Sequence, residues 1–316
     1  MHYESAGAGA RVVCLVHGTG GAGNVWLHQL DGLADAARVV APDLPGHGRS
    51  GGEPPRSIEE AAAFVVGFLD AVSVRSAIVG GHSMGGAIAQ QLALAHPERV
   101  DGLVLVGTGA RLRVLPRVLE LLATDYPAGV DLLLQMGVGA AAPASLKASL
   151  RRSTAANPPG VVLGDLRACD VFDVIARIGA VRVPTLALCG EEDQLTPPKF
   201  ARFFGETIAG ARVVVIPGAG HFVQLEQPEA TTRALREFLT RSAQGGGSMS
   251  GPRELTLEEL RERIRAAGVT IAENRLAMVR KLLGDALAPV RALDSRAIKT
   301  EEPAVRFAPA REASHE

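Results

Sequence analysis

Short runs of consecutive apolar residues alternate along the first three quarters of the chain with stretches whose apolar residues recur at helical spacing. The first run, Arg11-Val12-Val13-Cys14-Leu15-Val16-His17, shows no polar–apolar alternation. Such a run fits a strand buried on both faces, as in a parallel sheet. Comparable runs follow at 38–41, 76–79, 100–106, 183–189 and 212–216. Between them the spacing predicts helices at 26–36, from Ser57 to about Ala71, and beyond residue 84, where Ile88, Leu92 and Leu94 precede His96-Pro97; a closing helix is read at 228–241. Ser57-Ile58-Glu59-Glu60 reads as a capping box opening the second of these. Strands alternating with helices predict an α/β chain with a doubly wound, mostly parallel sheet.

The rhythm breaks between residues 111 and 178. No strand-like run occurs there, and apolar helical patterns are separated by Pro127, Pro143 and Pro158-Pro159. An insertion of this kind between sheet strands is expected to form a helical cap over a substrate pocket, with core packing as the alternative use of its leucines.

The chain has 316 residues, 47% of them hydrophobic, with a formal net charge of −1. This allows one large domain and a small one with a sizeable core, and points to neither nucleic acid nor an anionic membrane as the main partner. Cys14, Cys169 and Cys189 lie far apart without metal-ligand spacing. Cys14 and Cys189 fall in strand-like runs and are read as buried free thiols, which suits a reducing cytoplasm. Met1-His2-Tyr3-Glu4-Ser5 lacks the features of a signal peptide, and no apolar run reaches the ~18 residues of a membrane span.

The chemistry gathers where the predicted strands end. Gly81-His82-Ser83-Met84-Gly85 fits G-x-S-x-G in a strand–turn–helix context. The turn forces the serine into a strained backbone shape, and the flanking glycines leave room for the strand and helix to cross. A serine hydroxyl needs a base, and the base a carboxylate that fixes its tautomer. Chain order proposes Ser83 as nucleophile, Asp193 as acid and His221 as base, with Glu191 and Glu192 as rivals to Asp193, and His17, His47 and His82 as rivals to His221. The oxyanion hole is expected from the N–H of Met84 and from the loop after the first run, at Thr19 with Gly20 as the alternative. No metal or organic cofactor is required.

These motifs carry a family resemblance. His17-Gly18-Thr19-Gly20, Asp43-Leu44-Pro45-Gly46-His47-Gly48-Arg49-Ser50, Gly81-His82-Ser83-Met84-Gly85-Gly86, Gly190-Glu191-Glu192-Asp193 and Gly218-Ala219-Gly220-His221-Phe222 together resemble the α/β-hydrolase fold over about residues 1–241, in particular its cytoplasmic bacterial lactonases, carboxylesterases, perhydrolases and C–C bond hydrolases. The resemblance implies a serine hydrolase. Serine at the elbow separates it from the dehalogenases and epoxide hydrolases of this fold, which carry aspartate there. Phe222 stands where C–C hydrolases usually carry tryptophan. The first strand usual in the fold is expected to be missing, since the chain starts almost at Tyr3-Glu4-Ser5.

The remainder reads as a different object. Residues 242–252 form a Gly/Ser linker, with Met249 placed as a second start would be, suggesting a fusion. Residues 253–316 read as a small all-α hairpin: a capping box at Thr256 and Glu259 opens a helix with Leu257, Leu260 and Ile264, and a second helix carries Leu276, Val279, Leu283, Ala286 and Val290. An extended strip follows. Ala267-Gly268-Val269-Thr270-Ile271, Asn274-Arg275 and Glu302-Pro303-Ala304-Val305-Arg306-Phe307 resemble the small AtzG-like/GatC-like accessory subunits that wrap amidase-signature enzymes, which implies an amidase partner. The expected function is hydrolysis of a small-to-medium, largely apolar ester or lactone through an acyl-enzyme. The alternatives are a C–C bond hydrolase of the same fold and a scaffold whose tail recruits an amidase.

Overall fold

The computed structural model describes residues 1–244 and, beyond them, only Arg261. The linker reading for residues 242–252 meets the closing helix at its first three residues, which are helical through Gln244; the rest of it, and the hairpin and amidase-partner readings for residues 253–316, lie outside the described residues apart from Arg261.

Strand β1 (Tyr3–Ala6) is followed by β2 (Val12–Val16), a short 3₁₀ turn, α1 (Leu27–Leu33), β3 (Arg38–Pro42), α2 (Ile58–Ala71), β4 (Ala77–His82), α3 (Met84–Ala95) and β5 (Val100–Val106). Helices α4 (Pro116–Thr124), α5 (Tyr126–Gly137), α6 (Ala144–Ala155) and α7 (Pro159–Val171) form the insertion. The sheet resumes with β6 (Thr185–Gly190), α8 (Pro198–Thr207), β7 (Arg212–Ile216), α9 (Val223–Glu226) and α10 (Pro228–Gln244). The seven strands lie in the order β1-β3-β2-β4-β5-β6-β7. All neighbours pair in parallel except β1, which runs antiparallel along β3.

The absence of alternation in the apolar runs has its cause in this layering. In β2, Val12, Cys14 and Val16 pack into one core with α2, α3 and α8, while Val13 and Leu15 pack into the other with α1 and α10. Both faces of the strand are covered, so every position must be apolar. The expectation of a missing first strand is overturned: β1 is present, but it carries no apolar run because, as a half-exposed edge strand of Tyr-Glu-Ser-Ala, it buries little. It is held by backbone pairing to β3, which leaves no hydrophobic signature in the sequence. The capping box at Ser57 is half formed. Ser57 Oγ accepts from Glu60 N–H at 3.2 Å, but the Glu60 carboxylate turns to the Arg56 N–H at 2.9 Å.

The insertion leaves and rejoins the sheet at one point, where Arg111 and Asp173 form an antiparallel bridge and an ion pair at 2.6 Å. Val118, Leu122, Val130, Val162 and Leu166 give it a small core of its own. Among the described residues no helix is long and apolar enough to cross a membrane.

Candidate active site

Ser83 is the one residue between β4 and α3, and it has φ 53° and ψ −115°. Among the described residues only Ser73 shares a positive φ without being glycine. Such a backbone costs ~1–3 kcal/mol and persists only where its surroundings over-determine it. Here the Ser83 N–H donates to the Val106 carbonyl at 2.9 Å, and the Ser83 carbonyl accepts from Thr108 Oγ1 at 2.8 Å. The glycines two residues either side permit the close crossing. A Cβ on Gly81 would lie 2.2 Å from the Gly85 carbonyl carbon, and one on Gly85 would lie 2.3 Å from the Val16 oxygen. Met84 opens α3, so its N–H has no partner within the helix and sits at the positive end of the helix dipole.

Asp193 follows β6 and His221 follows β7, both at strand C-terminal ends. Their side chains are buried and meet at 2.8 Å, Asp193 Oδ2 to His221 Nδ1. Asp193 is tightly held: Oδ1 accepts from the N–H groups of Leu195 (2.9 Å) and Thr196 (2.8 Å), and Oδ2 also accepts from Thr196 Oγ1 (2.7 Å). Burial works against its charge, but the adjoining His221 and the hydrogen bonds from His221 and Thr196 outweigh that, and its pKa lies below the ordinary carboxylate value.

The rival groups have other work. Glu191 and Glu192 are exposed, and Glu192 accepts from the Ala140 N–H at 2.7 Å. His82 Nε2 donates to the His221 carbonyl at 2.9 Å. Burial, reinforced by neighbouring His221, pushes the His82 pKa down to about 3, so it is neutral. His17 is buried too, its pKa pushed to about 4 by burial and by His47. Its Nε2 accepts from the Leu44 N–H at 3.1 Å, so Nδ1 carries the proton and donates to the Gly18 carbonyl at 2.8 Å.

The loop after β2 turns at Gly18, whose carbonyl accepts from Gly21 N–H at 3.0 Å, with Gly20 at φ +59° in the third turn position. A Cβ on Gly18 would lie 3.2 Å from Ser83 Cβ, so the Gly18–Thr19 peptide stands beside the serine. Of the two candidate donors, the Gly20 N–H is occupied, donating to Asp165 Oδ2 at 2.8 Å. The Thr19 N–H has no partner among the described residues.

Ser83 and His221 line a cavity of about 900 Å³. Asp193 lies behind His221, and neither Thr19 nor Met84 is among the lining residues. Leu112, Val118, Leu133, Met136 and Leu166 supply apolar wall, so residues of the insertion both pack on one another and face the cavity. Exposed Arg111, Arg113, Lys199, Arg202 and Glu206 also line it. Cys169 also lines it; all three cysteines are buried and unbridged. No group of three or more potential metal ligands occurs among the described residues.

Sequence reasoning missed Thr196, which braces Asp193. It also missed Glu226, whose carboxylate accepts from the N–H groups of Gly139 (2.9 Å), Gly220 (3.0 Å) and Phe222 (3.0 Å) and so ties the His221 loop to the insertion. Asp165 was missed as well, yet it left a signal: an acid at helical spacing with Val162, Leu166 and Cys169 on an apolar face.

Known proteins are similar to this chain in sequence and fold. The chain is 30% identical over 253 residues to the pimeloyl-[acyl-carrier protein] methyl ester esterase of Edwardsiella ictaluri, covering 75% of this chain and 96% of that one. A solved structure described as a thermophilic esterase is 39% identical with a TM-score of 0.68, covering 76% of this chain and 99% of that one. Est816, described as an N-acyl homoserine lactone degrading enzyme, is 31% identical with a TM-score of 0.69, covering 75% and 96%. The alpha/beta hydrolase fold family matches residues 11–228, and with seven strands in this order around a serine elbow the chain belongs to that family.

Proposed function

We propose that this protein is a serine hydrolase that cleaves a small-to-medium ester or lactone through an acyl-enzyme at Ser83. The observation that carries the reading is the buried Asp193–His221 pair at 2.8 Å, with His221 lining the same cavity as a serine held at φ 53°. Asp193 holds the Nδ1–H tautomer of His221, which frees Nε2 to take the Ser83 proton. Ser83 Oγ bonds to the acyl carbon, and the carbonyl electron pair moves onto oxygen as an oxyanion. The N–H groups of Thr19 and Met84 receive it. Collapse breaks the bond to the leaving oxygen, which takes the proton from His221. Water, deprotonated by His221, then releases the acid and restores Ser83. The chain is an ester-hydrolysing enzyme in this reading. The relatives named as a methyl ester esterase and a homoserine lactone degrading enzyme support it at the level of the bond cleaved. The apolar walls suit an apolar acyl part, and the insertion is the cap that supplies them. Residues 253–316 serve as a partner-binding module. That reading rests on the sequence resemblance alone, and co-purification of an amidase-signature enzyme with the full chain but not with residues 1–244 tests it.

The test of the hydrolase reading is turnover of p-nitrophenyl esters of increasing acyl length, with Ser83→Ala beside the unmodified protein. Ser83→Ala should abolish turnover and labelling by a fluorophosphonate while leaving the fold intact. Retained turnover in that variant would overturn the assignment.

A further inference from the structure

Three side chains of the insertion close on a single glycine of the loop beside Ser83. Asp165 Oδ2 accepts from the Gly20 N–H at 2.8 Å, and Asn157 Nδ2 donates to the Gly20 carbonyl at 2.7 Å. A Cβ on Gly20 would lie 2.8 Å from Val162 Cγ2. Both peptides that flank Gly20 are thus fixed from the insertion, across sequence separations of 145 and 137 residues. The preceding peptide is fixed from the sheet side. The Gly18 carbonyl accepts from both Gly21 N–H and His17 Nδ1. Because a trans peptide is planar, fixing the Gly18 carbonyl fixes the opposite direction for the Thr19 N–H.

A carboxylate this close to the oxyanion position would repel the charge that develops there. His47 answers it. Its Nε2 lies 2.9 Å from Asp165 Oδ2, and its Nδ1 lies 2.9 Å from the Pro45 carbonyl, which can only accept. Facing an ionised Asp165, both ring nitrogens donate, which makes the pair an imidazolium and a carboxylate, their side chains 0% and 2% exposed. Burial opposes that charge, but the hydrogen bond and charge of Asp165 hold the His47 pKa above its ordinary value, with smaller contributions from the Pro45 carbonyl and then Asp43. Neighbouring His17, 5.1 Å away ring to ring, is neutral and adds no competing charge.

We propose that Asp165 and Asn157 are positioning residues that hold the Thr19–Gly20 turn in register for the oxyanion, and that His47 neutralises Asp165 so that this hold does not oppose the transition state. The insertion would then help to assemble the reaction centre as well as shape the pocket. This rests on the proposed roles of Ser83 and Thr19. A misplacement of about 1 Å at such a donor costs on the order of 10²-fold in rate.

The experiment compares Asp165→Ala, Asp165→Asn, Asn157→Ala and Ser83→Ala in the full-length protein, using the best p-nitrophenyl ester. Folding is checked by circular dichroism and thermal melting. Asp165→Ala should lower kcat by ~10²-fold with KM within about threefold, because the lost alignment is felt in the transition state. Asp165→Asn keeps an acceptor for the Gly20 N–H and should recover part of that loss. Asn157→Ala, which removes only the carbonyl-side contact, should fall in the same direction and decides the matter if Asp165→Ala does not fold. Unchanged kcat in the folded variants, or a loss confined to KM, would overturn the proposal while an inactive Ser83→Ala leaves the hydrolase reading standing. An active Ser83→Ala would overturn both.

Discussion

Replacing Asp193 by asparagine exchanges one oxygen for an NH₂ group and should nearly silence the enzyme. Oδ1 accepts from two backbone N–H groups, those of Leu195 and Thr196, so that position must remain an oxygen. The new amide NH₂ is then forced into the Oδ2 position, 2.8 Å from His221 Nδ1. A donor there compels Nδ1 to accept, which moves the ring proton to Nε2, the atom that must receive the Ser83 proton. The base is present but in the wrong tautomer. Loss of the carboxylate also removes the charge that stabilises the imidazolium. For this kind of tautomer error the fall in kcat is about 10⁴-fold, equivalent to ~5 kcal/mol of activation free energy. The assay is steady-state turnover of a p-nitrophenyl ester at pH 7.5, with the melting temperature measured alongside. Packing changes little, so the variant should fold. A properly folded Asp193→Asn protein within tenfold of the unmodified kcat would refute the chain of reasoning from carboxylate to tautomer to proton acceptor.

Two further outcomes follow from buried geometry. Gly85→Ala should destabilise the protein by at least ~1–3 kcal/mol, because the new methyl would lie 2.3 Å from the Val16 oxygen and 2.6 Å from the His17 oxygen, both backbone atoms that cannot step aside; chemical denaturation measures it, and a stability equal to the unmodified protein would show that the elbow can relax. Acid should destabilise the fold from pH 6.5 downwards, since buried His82 and His17 hold pKa values of about 3 and 4 against an ordinary 6.5. The unfolded chain binds those protons first, so the contribution of these two is full above pH 6.5, and each removes up to ~1.4 kcal/mol per pH unit below it until its folded value is reached; His47, with its raised pKa, acts in the opposite sense and loses its contribution as pH rises through that value. Asp193, with its lowered pKa, adds to the loss only near the ordinary carboxylate range. Melting temperatures between pH 7 and 4.5 check this, and a flat profile would refute it.

The sequence by itself determined the sheet, the elbow and the order of the candidate groups. Runs such as 11–17 and 100–106 are apolar at nearly every position because both faces of a central strand are covered, and that requirement is written residue by residue. Gly81 and Gly85 were legible for a similar reason: a sharp turn where backbones cross admits no other side chain. Asp193 and His221 were legible because each follows a strand end in a fixed chain order. Strand β1 was not legible, since it is held by backbone pairing to β3 and its side-chain contacts, Tyr3 edge-on to Phe68 and Ala6 against the core, leave no apolar run. Only the tertiary structure shows that the Gly20 N–H is occupied, because its partner, Asp165, lies 145 residues away in sequence. The protonation of His17, His47 and His82 was likewise beyond the sequence. The three are chemically the same residue, and what separates them is burial and the partner on each ring nitrogen, a carbonyl and an amide for His17, a carboxylate and a carbonyl for His47, and the His221 carbonyl for His82. Local pattern records what a position must be; which distant groups meet there is settled only when the chain folds.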